Sequence, residues 1–337
     1  MRLNILYCCD DNYAPYTGVS MTSVLESNKD AEEIVFYVVS DRVSEDNLLR
    51  MQRQVDAYGA LGRLVMIDGR EWVGRLVDMT MMTYRGGHAA NLRLFFTEYI
   101  EEGVGRVLYL DSDTLVCQSL LPLFEVEMGS DPVGVVLDSL SAYYKPVVGF
   151  SEGDYYFNSG MILFDVQNWR ESACKERLLE LLRDYPKPHF MNPDQDVLNI
   201  LLKDRKRVLS PKYNFQTTHQ VYSNAAYYAN YSRVGYYAED EINEARRQPV
   251  VLHAYRFLGQ FPWHRDAIHP WRDLWWAYVA KSEWRDLVPR ENKGASFALE
   301  RLLYKLLPKR MFLFLFQSWQ SRNFNKRLGA LSKKERR

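Results

Sequence analysis

The chain has 337 residues, of which 47% are hydrophobic, and its 43 Lys and Arg residues balance 43 Asp and Glu residues. This length and apolar content are sufficient for one large buried core or two smaller ones. The zero net charge gives no reason to expect nucleic acid as a partner, so we predict none.

The chain begins with a short apolar run, residues 5–9, which Asp10 and Asp11 interrupt. This run is too short for a signal peptide or a membrane span, and we therefore expect the protein to stay in the cytoplasm. The cysteines show no paired metal spacing, so we expect reduced thiols rather than disulfides at Cys8, Cys9, Cys117 and Cys174.

Short apolar runs alternate with helical patterns through the first half of the chain. Five runs predict buried strands, at 4–9, 33–40, 64–68, 107–110 and 133–137. Three intervening segments predict helices, at 17–26, 44–58 and 89–101. Strands that are apolar on both faces and separated by helices predict an α/β fold with a mostly parallel sheet, whose ligands bind beyond the carboxyl ends of the strands.

Polar clusters follow three of these predicted strands. The first strand leads into 10–13 (Asp-Asp-Asn-Tyr), the fourth into Asp111-Ser112-Asp113, and the fifth into Asp138. Two carboxylates one residue apart at a strand end can converge on one Mg²⁺ or Mn²⁺ ion. A solvated turn in which one acid caps a helix is the alternative, and the apolar strand before Asp111 favours the metal site.

The second half of the chain is less regular. We expect a strand at 156–164, helices at 175–184 and 194–203, and a late strand at 250–252 that ends at His253. The segment 216–248 contains six tyrosines with little periodicity, and we expect a long surface excursion there.

Several polar residues outside the Asp-x-Asp pair allow two interpretations. Arg93 lies in an apolar helical pattern, where it is either a snorkelling side chain or a charge directed into a cleft. A lone His253 is either structural or a nitrogen ligand for the same metal. Asp194 and Asp196 either stabilise a helix start or join the other acids around a site.

The last segment, 291–337, differs in composition from the main domain, 1–290. From Arg301 onward it has eleven Lys or Arg residues and one acid, Glu335. Its apolar runs, 302–307 and 311–316, are too short to span a bilayer. We expect a basic amphipathic helical tail that lies on an anionic membrane surface, with a helix packed on the main domain as the alternative.

Taken in order, these pieces resemble glycosyltransferase family 8, which includes bacterial lipopolysaccharide galactosyl- and glucosyltransferases and glycogenin. The resemblance extends from about residue 4 to residue 265. Its matching pieces are 5–14, 92–94, Tyr109-Leu110-Asp111-Ser112-Asp113, Asp138, Tyr156-Phe157-Asn158-Ser159-Gly160, Asp194-Gln195-Asp196 and His253.

The resemblance implies a GT-A fold and a retaining transfer that depends on Mn²⁺ or Mg²⁺. It implies that Asp111, Asp113 and His253 bind the metal. Contacts to the uridine are implied for Asp10, Asn12 and Tyr13, with Tyr13 stacking on the base, and for the backbone of Cys8. The residues implied around the rest of the donor are Arg93, Ser112, Asp138, Asn158, Asp194 and Gln195.

One segment departs from the family pattern. The family follows its histidine with Gly-x-x-Lys-Pro-Trp, whereas here Gly259 is followed by Gln260, Phe261, Pro262 and Trp263, and the segment before the glycine is longer. Phe261 therefore occupies the position of the lysine that contacts the diphosphate. We expect Gly259 to keep its place at the diphosphate and Arg256 to supply the missing charge.

The predicted activity is transfer of galactose or glucose from a UDP-sugar to an oligosaccharide or glycolipid acceptor at the inner face of the membrane. Gln195 is a neutral amide and a poor nucleophile, so we expect attack from the face that the diphosphate leaves, with Asp194, Gln195 and Asp138 positioning the reactants. The alternatives are a phosphatase of the haloacid dehalogenase type and a membrane-bound nucleotide-sugar-binding protein without turnover.

Overall fold

The computed structural model describes residues 1–79, 81–83, 86–138, 144–184, 192–231, 233–291 and 295–335. Its strands are β1 (Arg2–Asp10), β2 (Glu33–Asp41), β3 (Gly62–Asp68), β4 (Arg106–Leu110), β5 (Thr114–Val116), β6 (Val133–Leu137), β7 (Phe157–Asp165), β8 (Arg207–Val208), β9 (Phe215–Gln216) and β10 (Val251–His253).

The α-helices are α1 (Ala14–Ser27), α2 (Glu45–Asp56), α3 (Arg70–Asp78), α4 (Leu121–Phe124), α5 (Val166–Glu171), α6 (Cys174–Asp184), α7 (Pro193–Leu201), α8 (Thr217–Val221), α9 (Asn224–Tyr228), α10 (Glu239–Arg247), α11 (Arg272–Lys281), α12 (Ala295–Leu306) and α13 (Lys309–Glu335). Short 3₁₀ helices lie at Gly59–Leu61, Ala89–Glu98, Lys145–Val148 and Pro211–Asn214.

The main sheet has seven strands in the order β3-β2-β1-β4-β7-β6-β8. Strands β1 to β4 and the β6/β8 pair are parallel, and β7 runs antiparallel to both β4 and β6. Successive side chains of β1 enter opposite cores, with Ile5 in one and Leu6 in the other, and both are fully buried. The predicted α/β fold with a mostly parallel sheet and flanking helices is confirmed.

A second, three-stranded sheet brings two distant parts of the chain together. It has the order β5-β10-β9, and β5 begins immediately after Asp113. The antiparallel β5/β10 register pairs Thr114 with His253, and the Ala254 N–H donates to the Asp113 carbonyl at 2.8 Å. This pairing fixes the last residue of β10 beside the Asp-x-Asp segment.

Two local predictions were wrong. The segment 89–101 is not a regular α-helix but a 3₁₀ helix with a kink at Phe95, where φ is −109° and ψ is 27°. We attribute the kink to packing, because the Phe95 ring stacks on Trp72 (centroid distance 4.6 Å) while the adjacent Phe96 ring stacks on Phe164 (3.9 Å). An undistorted α-helix would point neighbouring side chains about 100° apart.

The tyrosine-rich segment 216–248 is not a surface excursion. It forms β9, α8, α9 and α10, and Tyr222, Tyr227 and Tyr237 are at most 5% exposed. The Tyr227 ring stacks on Tyr231 at a centroid distance of 4.6 Å and lies 4.5 Å from the His219 ring. Because these rings pack on one another rather than along one helix face, the sequence shows no period.

The tail is helical, as predicted, and packs partly on the main domain. Phe312 and Leu313 of α13 are buried in a cluster with Tyr222, Tyr227 and Phe257. Farther along α13, the Phe324 ring contacts Tyr144 edge-on at a centroid distance of 5.3 Å. Within the residues described, no helix combines the length and the apolar character that crossing a membrane requires.

Candidate active site

Asp111, Asp113 and His253 meet at the carboxyl edge of the main sheet. One ligand atom from each lies within 4.8 Å of the others, which is the arrangement expected of a metal site. His253 Nε2 is 3.3 Å from Asp113 Oδ1 and 3.8 Å from Asp111 Oδ2. Burial disfavours the imidazolium, but Asp113 and Asp111 outweigh this effect and raise the pKa of His253. The three residues therefore create a position that favours positive charge.

Gly160, the second residue after Asn158 in β7, makes this close approach possible. A Cβ atom at Gly160 would lie 2.2 Å from His253 Cε1 and 2.9 Å from Asp111 Oδ2. No side-chain carbon is tolerated at such distances, so any residue larger than glycine displaces the imidazole or the carboxylate. The Asp111 N–H also donates to the Gly160 carbonyl at 2.8 Å, which ties β7 to the Asp-x-Asp segment.

A chain of amides connects His253 to Asp138. His253 Nδ1 lies 3.0 Å from Asn214 Oδ1, and the Asn214 amide donates to Asn158 Oδ1 at 2.9 Å. Asn158 Oδ1 also accepts from the Gly160 N–H at 2.9 Å, and its own amide donates to Asp138 at 3.2 Å. These partners orient both amides, so Nδ1 carries the proton toward Asn214 and Nε2 faces the carboxylates.

Arg93 lies between Asp111 and Asp194 and is 3% exposed. Its Nη2 donates to Asp111 Oδ1 at 2.8 Å, and its Nε is 3.2 Å from Asp194 Oδ2. Burial opposes the charge of the guanidinium, but the two carboxylates outweigh it and raise the pKa of Arg93. Since Tyr109 also donates to Asp111 Oδ1 at 2.7 Å, that oxygen is occupied and Oδ2 faces His253.

Asp194 and Gln195 lie in the first turn of α7, after Pro193, and are both buried. Burial raises the pKa of Asp194 although Arg93 opposes the shift, and Ser159 Oγ donates to its carboxylate at 3.2 Å. Gln195 Oε1 accepts from the Ser159 N–H at 2.9 Å, and its amide donates to Asp138 at 2.9 Å. Both the oxygen and the nitrogen of the Gln195 amide are therefore held by hydrogen bonds.

The predicted nucleotide-binding residues lie at the end of β1. The Tyr13 N–H donates to Asp10 Oδ1 at 3.0 Å, and the Tyr13 ring lies edge-on to Tyr16 at a centroid distance of 5.8 Å. Asn12 is exposed, and its carbonyl accepts from Arg290 at 3.3 Å. Burial raises the pKa of the Cys8 thiol, so this group is not a reactive thiolate.

One cavity of about 1170 Å³ contains these groups. Every predicted site residue except Asn12 lines it: Cys8, Asp10, Tyr13, Arg93, Asp111, Ser112, Asp113, Asp138, Asn158, Asp194, Gln195, His253, Arg256 and Gly259. The structure thus brings together segments that are up to about 250 residues apart in the sequence, with the acids and amides at one end.

The family model for "Glycosyl transferase family 8" matches residues 4–267. The chain belongs to this family. General stress protein A of Bacillus subtilis is 26% identical over 288 residues, covering 85% of this chain and 96% of that protein. The lipopolysaccharide 1,2-glucosyltransferase of Escherichia coli K12 is 26% identical over 296 residues, covering 87% and 82%.

Among solved structures, the galactosyltransferase LgtC in complex with donor and acceptor sugar analogues is 26% identical, with a TM-score of 0.66. The similarity covers 85% of this chain and 99% of LgtC. The predicted family and GT-A fold are confirmed, and the chain is a glycosyltransferase. These comparisons favour neither the phosphatase nor the non-catalytic alternative.

The segment that departs from the family pattern has a defined structure. Phe261 is 6% exposed and stacks on Trp263 in the core, at a centroid distance of 4.4 Å. Leu258 and Gly259 both have positive φ, 49° and 74°, in a tight turn closed by two hydrogen bonds between Phe257 and Gln260. Arg256, immediately before the turn, is exposed to the cavity.

The tail rests on this turn. A Cβ atom at Gly259 would lie 2.2 Å from Phe297 Cδ1, so glycine is required for the ring of Phe297 to seat there. The guanidinium carbon of Arg256 is 5.1 Å from the centroid of the same ring. The tail therefore contacts both residues that we expect at the diphosphate.

Several residues of the site were not predicted from the sequence, above all Asn214, Ser159 and Tyr109. Asn214 is the last residue of the short 3₁₀ helix Pro211–Asn214, directly before β9, where no motif marks it. Ser159 stands inside the matched segment 156–160, and its contacts with Arg93, Asp194 and Gln195 indicate a role that its sequence position alone does not.

Proposed function

We propose that this glycosyltransferase moves a hexose, galactose or glucose, from a UDP-sugar to a saccharide acceptor of a cell-surface glycan or glycolipid, retaining the anomeric configuration and using a bound divalent cation. The observation that carries the proposal is the convergence of Asp111, Asp113 and His253 in a cavity that also holds the predicted nucleotide-binding residues. The glucosyltransferase and galactosyltransferase relatives support a hexose donor.

The residues present fit a divalent metal. Two carboxylates and an imidazole suit Mn²⁺, and Mg²⁺ is the less favoured alternative because it prefers oxygen ligands. The hydrogen bond from His253 Nδ1 to Asn214 Oδ1 supports the fit, because metal-binding histidines are held in this way by a second partner. When bound, the cation offsets the negative charge that develops on the departing UDP.

The donor occupies the cavity from the end of β1 to α7 in this proposal. Tyr13 stacks on the uracil, Asp10 and Asn12 bind the uridine, and the backbone at Cys8 borders it. Ser112 and the turn at Gly259 border the diphosphate, and Arg256 supplies the charge that the family draws from a lysine. Arg93 and Asn158 act mainly by orienting the carboxylates of Asp111, Asp194 and Asp138, with which they form hydrogen bonds and ion pairs.

The contacts of Gln195 and Asp194 support attack from the front face. The Gln195 amide is held at both ends, and the Asp194 carboxylate is buried against Arg93, so neither is poised as a nucleophile. The bond between the sugar and the phosphate oxygen breaks while the acceptor oxygen forms the new glycosidic bond on the same face. The proton of the acceptor hydroxyl passes to the released phosphate oxygen, and Asp138 positions the sugar.

Hydrolysis of a panel of UDP-sugars, with and without Mn²⁺, tests this function. We expect consumption of UDP-galactose or UDP-glucose that requires Mn²⁺ and falls by about 100-fold or more in Asp113→Asn, because the variant loses an anionic ligand. Release of phosphate from a generic phosphate ester would instead favour a phosphatase. Tight UDP binding without donor consumption, with any acceptor, would favour a non-catalytic binding protein.

We also propose that residues 1–290 are the catalytic domain and that the tail, 291–337, holds the enzyme on the cytoplasmic face of the membrane. Apolar side chains of the tail that face outward support this, among them Leu302 (51% exposed), Leu306 (70%) and Phe314 (64%), together with its excess of Lys and Arg. Flotation with anionic vesicles measures the association, and equal flotation after removal of residues 292–337 would contradict it.

A further inference from the structure

The tail forms one side of the active-site cavity. Apolar side chains from α12 through α13 line the same cavity as the cluster of Asp111, Asp113 and His253. We call five of these side chains the apolar wall: Leu303, Leu307, Leu315, Phe316 and Trp319. Leu315 and Trp319 are 45% and 60% exposed, so the apolar wall reaches the protein surface. One cavity thus has a polar end at Asp111 and Asp138 and an apolar side on the tail.

The cavity is larger than one ligand needs. Pockets for a single small molecule are about 300–1,000 Å³, whereas this cavity is about 1170 Å³. In the proposed function the donor occupies the polar end, from Asp10 to Gln195. The remaining space, beside the apolar wall, leaves room for a second substrate.

Helix α13 presents apolar side chains in more than one direction. Residues 311–316 are six consecutive apolar residues, which cover the whole circumference of a helix. Phe312 and Leu313 are buried against the main domain and line the cavity together with Leu315 and Phe316, whereas Phe314, 64% exposed, does not line it. A single outward membrane-facing stripe does not account for the side chains that face the reaction cavity.

We propose that the apolar wall binds the hydrophobic aglycone of the acceptor, an alkyl, acyl or prenyl chain close to the sugar that receives the hexose. This inference rests on the proposed function and narrows its acceptor from any saccharide to an amphiphilic one. The polar end of the cavity receives the accepting sugar, and the apolar wall provides leucine and aromatic side chains that bind a hydrocarbon chain. Its exposed end lets such a chain continue to the surface.

Matched glycosides test the proposal with the full-length protein. Methyl and octyl glycosides of galactose, glucose and lactose are compared as acceptors, below the critical micelle concentration of the octyl compounds. We expect a kcat/KM for the best octyl glycoside that is about tenfold or more above that of its methyl partner, because burying a few methylenes gives such a factor. Phe316→Ser and Trp319→Ser should bring this ratio toward one.

Phe314→Ser is the matched control, since Phe314 lies two residues from Phe316 but outside the cavity. It should leave the octyl-to-methyl ratio unchanged and weaken flotation with anionic vesicles. An equal kcat/KM for octyl and methyl glycosides in the wild type would overturn the proposal. So would loss of flotation in Phe316→Ser and Trp319→Ser with no change in the ratio, since the apolar wall would then serve the membrane.

Calorimetry separates failure of this inference from failure of the proposed function. Octyl glycoside is titrated into protein containing UDP and Mn²⁺, and the methyl compound serves as the reference. Tighter binding of the octyl compound that Phe316→Ser removes supports the apolar wall even if no UDP-hexose is consumed. If the wild type consumes UDP-hexose but binds both glycosides equally, the proposed function stands. The assignment of the apolar wall to the aglycone is then wrong. A melting temperature for each variant shows that it is folded.

Discussion

The cluster of Asp111, Asp113 and His253 and the apolar wall line the same cavity but are held in place by different interactions. Asp111, Asp113 and His253 are held by directional hydrogen bonds and by the β5/β10 register, so small displacements change what they can bind. The apolar wall consists of side chains of the segment 303–319, whose contacts with a ligand have little directionality. We therefore expect substitutions at the cluster to cause large losses of activity and substitutions in the tail to cause smaller, graded losses.

The largest effect is expected from Gly160→Ala. The added Cβ would lie 2.2 Å from His253 Cε1, so the imidazole or β7 must move. A displacement of this size near reacting groups costs about 100-fold in rate, and we expect at least this loss in Mn²⁺-dependent donor hydrolysis. Gly74→Ala is the matched control, because nothing lies within 4 Å of its Cβ position, and it should retain wild-type activity. Full activity in Gly160→Ala would show that donor hydrolysis does not depend on the position of the His253 imidazole.

A smaller effect is expected from Asn214→Ala, which removes the partner of His253 Nδ1 without touching the cluster itself. Loss of such a partner typically lowers metal affinity or activity by about 10- to 100-fold. A titration of donor hydrolysis with Mn²⁺ should show the midpoint moving to higher concentration, and electron paramagnetic resonance of free Mn²⁺ measures the same shift without turnover. A lowered melting temperature with unchanged Mn²⁺ affinity would assign Asn214 a purely structural role.

The same contrast explains how much of the molecule could be predicted from its sequence. The sheet strands, the α/β class and the positions of Asp111 and Asp138 follow from apolar runs that end in polar residues, because strand ends and ligand sites coincide in such folds. Ordered motifs identified the family. What local patterns lack is the pairing between distant segments: only the β5/β10 register explains why His253, and not another histidine, reaches Asp113.

Contacts that depend on tertiary packing were not predictable. The tyrosines of 216–248 are irregular in sequence because each packs on another ring, as Tyr227 does on Tyr231. The composition of the tail indicated a surface helix, but no pattern in it indicates that Leu303 or Phe316 faces the reaction cavity. Gly259 was located by a sequence motif, but only the fold shows that it makes room for Phe297.

Phe297 lies in the tail and contacts the turn of the active site at Gly259. Of the substitutions at Gly160, Asn214 and Phe297, we expect the one at Phe297 to have the smallest effect. Its ring seats on Gly259 and lies 5.1 Å from the guanidinium carbon of Arg256. A contact between a cation and an aromatic ring at an accessible site contributes about 0.5–1 kcal/mol. Phe297→Ala should therefore raise the KM for the UDP-sugar by about 2- to 5-fold with little change in kcat, since the chemical step uses other residues.

Leu302→Ala serves as its control, because Leu302 lies on the same helix, is 51% exposed and does not line the cavity. Its KM should equal that of the wild type. Phe297→Tyr keeps an aromatic ring beside Arg256 and should restore most of the lost donor affinity, which a leucine cannot do by bulk alone. If Phe297→Leu restores as much as Phe297→Tyr, the ring acts by packing on Gly259 and not by holding the guanidinium. If Phe297→Ala leaves the KM unchanged, the contact between the Phe297 ring and Arg256 contributes nothing to donor binding.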